Sequence, residues 1–222
     1  MSKVLVLAVH PDDETLGCGG TLLKHKKSGD SIHWLISTSA KESQGFAKQD
    51  IIKREKEIEC VGKMFGFTTV TRLGISAAGA DELPTSVLVK KISKVFNDIK
   101  PEVIYLPFMK DVHSDHRVIF EAAYSCIKTF RYPFIKTVLM METISETELA
   151  LNMDKETFVP NYFVDISRFM DKKIRIMNIF KNEIGKHPFP RSVKNIKALA
   201  TFRGAMAGCK YAESFMLLKK IC

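Results

Sequence analysis

The chain has 222 residues, 45% of them apolar and 27% charged, with a formal net charge of +9. That balance is ordinary for a soluble globular protein, and the length fits one α/β domain with a sizeable core, expected over residues 1–222. No apolar run approaches the roughly 20 residues that span a bilayer, and Val4 to Val9 is too short and too early for a secretory signal, so a cytoplasmic protein is expected. Five scattered cysteines without a CxxC pair argue against a disulfide framework or a cysteine zinc site. The positive charge would favour anionic partners, including sugar phosphates. The basic residues are dispersed, however, with no aromatic-rich motif among them, so nucleic acid is not an expected partner.

Strand-like and helix-like segments alternate along the chain, which predicts βαβ units and a mostly parallel sheet flanked by helices. The first strand is the run Val4–Val9, and a helix follows from Leu16 towards Ser28. Ile32, Trp34 and Ile36 alternate in a second strand, Ser31–Ser37. Lys48–Phe65 carries an apolar stripe at helical spacing, and Gly66 stops it. Thr68–Leu73 is a β-branched third strand, and a third helix runs from Pro84 or Thr85 to about Lys100. Glu102–Leu106 is the fourth strand, Arg117–Thr129 the fourth helix and Lys136–Met141 the fifth strand. Glu142 to Pro160 reads as irregular and Tyr162–Ile166 as a strand. Ser167 is placed to cap a long helix, Arg168–Ile184. Pro188 and Pro190 break the chain before a last helix, Ser192–Met206, and Glu213–Lys219 closes the sheet or wraps its edge.

Two strand-to-helix loops carry the chemistry. His10-Pro11-Asp12-Asp13-Glu14 follows the first strand, and His113-Ser114-Asp115-His116 follows the loop after the fourth. In an open α/β sheet, ligands bind at the carboxyl ends of the strands, where both loops sit. Carboxylates crowded this closely repel each other unless a cation or a shared proton relieves them. A catalytic zinc takes three imidazole or carboxylate ligands and leaves a fourth position to water. His10, Asp13 and His116 are the expected ligands, with Zn2+ the expected ion and Fe2+ tolerated by the same set. Asp12, beside the metal but surplus to it, is the candidate general base. His113 is placed to stabilise an oxyanion or to protonate a leaving amine, with Asp115 expected to hold its ring. Glu14 is read as a first-turn helix charge or a substrate contact.

The strand–His10-Pro11-Asp12-Asp13-Glu14–helix unit, with Gly17, Gly19 and Gly20 after it, resembles the signature of the PIG-L/LmbE-like zinc de-N-acetylases. Asp111-Val112-His113-Ser114-Asp115-His116-Arg117 is similar to that family's second motif. Arg54-Glu55 and the tail with His187-Pro188-Phe189-Pro190-Arg191-Ser192, Arg203-Gly204 and Tyr211-Ala212-Glu213 extend the likeness towards its bacterial small-glycan branch. The segment after Leu73-Gly74 departs from the family's Asp-Gly, with Asp81 displaced. The resemblance implies a Rossmann-like fold and hydrolysis of an N-acetyl group from a small GlcNAc-containing substrate, with the same ligands and base. Arg54, Asn161 and Arg191 are the candidate substrate contacts, because arginine grips carboxylate or phosphate in a bidentate way. Homo-oligomers are compatible with this reading. The competing readings are a non-catalytic metal- or nucleotide-binding module and an amidohydrolase acting on a non-sugar amide. Against the first, Gly17-Cys18-Gly19-Gly20 lies after the acidic loop, and three carboxylates there would repel a pyrophosphate.

Overall fold

The apolar run at the start of the chain is buried on both faces. In strand β1 (Lys3–Ala8), Val4, Val6 and Ala8 enter one core cluster, while Leu5 and Leu7 enter another. A strand covered on both sides by helices is expected to be apolar throughout rather than alternating. The computed structural model describes residues 1–150 and 157–222. After β1 come α1 (Asp13–Lys27), β2 (Ser31–Ser39), α2 (Lys48–Phe65), β3 (Thr69–Ser76), α3 (Thr85–Ile99), β4 (Val103–Leu106), α4 (Ser114–Tyr124) and β5 (Thr137–Met141). The remaining elements are β6 (Tyr162–Asp165), α5 (Met170–Met177), α6 (Val193–Ala207) and β7 (Ala212–Lys220).

The strands form one sheet in the order β3-β2-β1-β4-β5-β7-β6. The first five are parallel, and β7 runs antiparallel to both β5 and β6. One core cluster lies against α1, α2, α5 and α6, and the other against α3 and α4. The fold is therefore the Rossmann-like, mostly parallel arrangement that the alternation predicts. The chain leaves β1 towards β2 on one side and β4 towards β5 on the other, so the strand order reverses between β1 and β4. Such a switch point opens a crevice at the carboxyl ends of the two strands.

Several boundaries differ from expectation. α1 begins at Asp13 rather than Leu16, and it is broken at Cys18, whose φ of −145° is not helical. α4 ends at Tyr124 instead of Thr129, where the Ser125 hydroxyl donates to Glu121 O at 3.0 Å. The long helix expected over Arg168–Ile184 is the short α5. Ser167 does not cap it: its hydroxyl donates to Asp165 Oδ1 at 2.6 Å. After Met177 the chain closes successive three-residue turns, Phe180 N to Met177 O and Glu183 N to Phe180 O. These turns bury Phe180. Of the irregular stretch expected from Glu142 to Pro160, residues 151–156 lie outside the described residues. Among the described residues, no helix is long and apolar enough to cross a membrane.

Candidate metal centre and substrate cleft

The two loops meet at the switch point. The Asp13 carboxylate folds back onto its own loop, where Oδ2 accepts from Val9 N at 2.9 Å and His10 N at 2.8 Å. Glu14 does the same one residue on, accepting from Asp12 N at 3.1 Å and the Thr15 hydroxyl at 2.5 Å. It is fully buried and braces the loop, so helix-terminus bracing describes it and substrate contact does not. From the second loop, His116 is buried in the first turn of α4. Its Nε2 lies 3.3 Å from His10 Nδ1 and 3.4 Å from Asp13 Oδ2. The three residues expected as ligands are thus brought together, with one donor atom from each within 4.8 Å of the others.

Each imidazole is held from behind. Asp111 Oδ2 pairs with His116 Nδ1 at 2.8 Å, which turns Nε2 towards the cluster. Asp115 Oδ2 lies 3.5 Å from His10 Nε2, which leaves Nδ1 facing the cluster. Carboxylates behind ligating histidines fix tautomer and orientation in metal sites. The donor set therefore fits a divalent ion: two oriented imidazole nitrogens and one carboxylate, with charge to neutralise. The alternative trio of His10, His113 and Asp115 also converges. In that trio both carboxylate oxygens accept from backbone amides, Asp115 Oδ2 from Ala78 N at 2.7 Å and Oδ1 from Ala80 N at 3.0 Å, whereas the two amides on Asp13 share Oδ2.

Asp115 corrects an expectation. Its carboxylate does not hold the His113 ring; it holds His10 and the loop after β3. His113 is positioned by Asp115 all the same, through the backbone: Asp115 N donates to His113 Nδ1 at 3.1 Å. That bond makes Nδ1 an acceptor, so the neutral ring carries its proton on Nε2.

The electrostatics follow from burial. Asp12 is almost fully buried, and its carboxyl is pushed up to about 8 by that burial and by the neighbouring Asp13 and Glu183. Burial works against charge on His116, yet Asp13 and Asp111 outweigh it and lift the ring to about 9. The cluster therefore draws positive charge. Burial and the nearby His10 hold His113 below its ordinary value. Asp12 also sits at φ 149°, a conformation rare outside glycine. Such residues persist where the surroundings over-determine them, often at functional sites.

The cluster opens into a cleft of about 320 Å³ lined by Asp12, His113, Arg54, Arg72, Arg191 and Phe46, among others. Arg54 and Arg191, two of the three residues expected as substrate contacts, line this cleft. Asn161 is not among its lining residues: its side chain accepts from Leu217 N at 2.7 Å and pins β7 beside β6. After a proline and before a strand, Asn161 reads as readily as a turn or edge residue, and that is its place here.

Three lining or bracing residues were not singled out from the sequence. Asp111 carried a signal, a carboxylate five residues before an expected ligand at the same strand end. Glu146 lines the cleft with a buried oxygen that makes no hydrogen bond among the described residues. Glu183 reaches both Arg54 and Arg191. The last two come from segments without a motif.

A Rossmann-like sheet thus carries, at its switch point, a two-histidine, one-carboxylate cluster that could hold a metal ion beside a small-molecule cleft. The family model described as PIG-L, GlcNAc-PI de-N-acetylase, matches residues 5–127, which include both loops, and the chain belongs to that family. It is 25% identical over 240 residues to the diacetylchitobiose deacetylase of Thermococcus kodakarensis, covering 100% of this chain and 85% of that protein. The N,N'-diacetylchitobiose deacetylase of Pyrococcus horikoshii has a similar structure, with a TM-score of 0.77, 21% identity and coverage of 98% and 84% of the two chains. The 4-carboxy-2-hydroxymuconate hydratase GalB of Pseudomonas putida shares the fold equally well, with a TM-score of 0.77, 16% identity and coverage of 100% and 98%. One fold thus carries two chemistries, and function has to be argued from the site.

Proposed function

We propose that the chain is a metal-dependent de-N-acetylase that hydrolyses the N-acetyl group of a small GlcNAc-bearing molecule to acetate and a free amine. The observation that carries this reading is Asp12, a buried carboxylate facing the cleft beside a complete three-ligand cluster that does not need it. His10, Asp13 and His116 would hold a divalent ion, Zn2+ or Fe2+, which would supply Lewis-acid polarisation of the acetyl carbonyl. Asp12 takes the proton of the attacking water and returns it to the leaving amine. Arg191 Nη1, 3.3 Å from Asp12 Oδ2, holds that carboxylate in place. His113, with Nδ1 committed as an acceptor, presents its Nε2 proton to the oxygen where negative charge develops. The family, and the deacetylases of Thermococcus kodakarensis and Pyrococcus horikoshii, support the same reaction class.

The test is direct. The protein loaded with Zn2+ is offered a panel of N-acetylated sugars and simple N-acetyl amides, and acetate and primary amine are measured. Acetate and amine released in equal amounts from GlcNAc conjugates, and not from the non-sugar amides, is the expected result. A metal-loaded protein that releases acetate from none of them sinks the proposal.

A further inference from the structure

Three arginines line the cleft, and each would suit a phosphate or carboxylate if its guanidinium were free. All three pair with carboxylates, and Arg191 Nε, a buried nitrogen, makes no hydrogen bond among the described residues. Glu183 lies between two of them: one oxygen accepts from Arg54 Nη2, and the other lies 3.1 Å from Arg191 Nη2. The second arms of those guanidiniums also meet carboxylates, Arg54 Nη1 at 3.5 Å from Glu57 and Arg191 Nη1 at 3.3 Å from Asp12. Arg72 pairs with Glu55. The rings of Phe180 and Phe189 lie 5.3 and 5.7 Å from the Arg54 and Arg191 guanidinium carbons, which further restrains both groups. Arg54, Arg191 and Glu183 are only 22–24% exposed, so solvent screens these pairs incompletely.

We propose that Glu183 sets the charge specificity of the cleft, quenching Arg54 and Arg191 so that the part of the substrate beyond the N-acetyl group is uncharged and hydroxyl-bearing. This inference rests on the deacetylase reading. Across the lining, three arginines face five carboxylates. Carboxylates therefore outnumber arginines around the cleft. An anionic group would meet Glu183 as a like charge, or displace it and leave a half-buried carboxylate unpaired; either outcome disfavours it. A hydroxyl needs neither, since it can donate to the carboxylate and accept from a guanidinium without breaking the pair. Phe46, 44% exposed and lining the same cleft, adds an apolar ring face, as sites for small polar molecules commonly do. The turns after α5 bring Glu183 to this position, and no motif in the sequence announces them.

Two GlcNAc conjugates that share a linker, one ending in a hydroxyl and one in a phosphate, test this. With the Zn2+-loaded protein, kcat/KM should favour the hydroxyl conjugate by about tenfold or more. Glu183→Gln should move that ratio towards the phosphate conjugate by about the same factor. Calorimetric titration of the metal-free protein with glycerol 2-phosphate gives a readout independent of turnover: tighter binding is expected in Glu183→Gln than in the parent. A parent that prefers the phosphate conjugate overturns the proposal. So does a variant whose ratio and phosphate binding match the parent. If the variant does not fold, the parent's preference alone decides. If neither conjugate yields acetate, the deacetylase reading fails, while the phosphate titration still judges Glu183.

Discussion

Asp12 and Asp13 are adjacent, alike and both buried, yet their oxygens are used differently. Asp13 accepts from two backbone amides and faces His116, whereas Asp12 meets Arg191 and the cleft. Asp12→Asn is therefore expected to retain the metal and to lose about 10²–10⁴ in kcat. Metal content measured beside activity decides it: if the two fall together, Asp12 is a ligand. The histidine and its neighbour separate in the same way. His113→Ala should keep the metal and slow turnover by about 10²–10³, the scale of a lost oxyanion donor. Asp115→Asn should instead weaken metal binding by about 10–100-fold, because its carboxylate holds His10. Competition with a chelator reads that affinity, and an Asp115 variant with parental affinity would contradict the assignment. The convergence of His10, Asp13 and His116 was legible in the sequence because spacing within one tight loop or one helix turn dictates which side chains share a direction. The work of Asp115 was not legible, because its partners, Ala78 and Ala80, are 37 and 35 residues away in a loop without a pattern.

At the scale of elements, α1 is interrupted just after it delivers the first loop. Around the break at Cys18, the Leu16 carbonyl and the amides of Gly20 and Thr21 bond to side chains from outside the helix. A buried ion pair from two other elements completes them. Lys173 of α5 donates to Leu16 O at 2.7 Å and pairs with Glu213 of β7 at 2.7 Å. Glu213 in turn accepts from Gly20 N at 2.8 Å and Thr21 N at 2.7 Å. The glycines around the break have their own reason. A Cβ on Gly20 would lie 2.6 Å from Ile166 Cβ, so the helix approaches that residue more closely than alanine permits. Lys173→Met leaves Glu213 buried without its cation and is expected to lower stability by about 3–5 kcal/mol. Urea unfolding measures this, and a loss below about 1 kcal/mol would mean that the pair does not carry the splice. These contacts explain why β1 to β5 and α2 were legible while the break inside α1 and the shortness of α5 were not. Apolar periodicity records burial against the sheet, which β1 to β5 and α2 obey. It does not record a lysine buried at 3% exposure to mend another helix, which reads from sequence as a solvated face.

At the scale of the molecule, the proposed ion would tie together two segments that the sheet alone holds side by side. His10 and Asp13 follow β1 and His116 follows β4, about a hundred residues apart in the chain but on neighbouring strands. With the ion absent, this junction holds buried carboxylates facing one another across Asp12, Asp13 and Glu14, all at or below 3% exposure. Binding to the folded chain alone therefore adds stability by mass action, about 4 kcal/mol when free ion stands a thousandfold above its Kd. For a chain of this length each kcal/mol moves Tm by about 2–4 °C. Exhaustive chelation is thus expected to lower Tm by roughly 8–16 °C, and restoring Zn2+ should bring it back. Hydrogen exchange should locate the change, with protection lost in both the His10–Leu16 and His113–His116 segments together. The same experiment on Asp12→Asn should give a similar shift, since that variant keeps all three ligands. A Tm indifferent to chelation and to added Zn2+, in a protein that still folds, would mean that the three side chains do not act as a metal site.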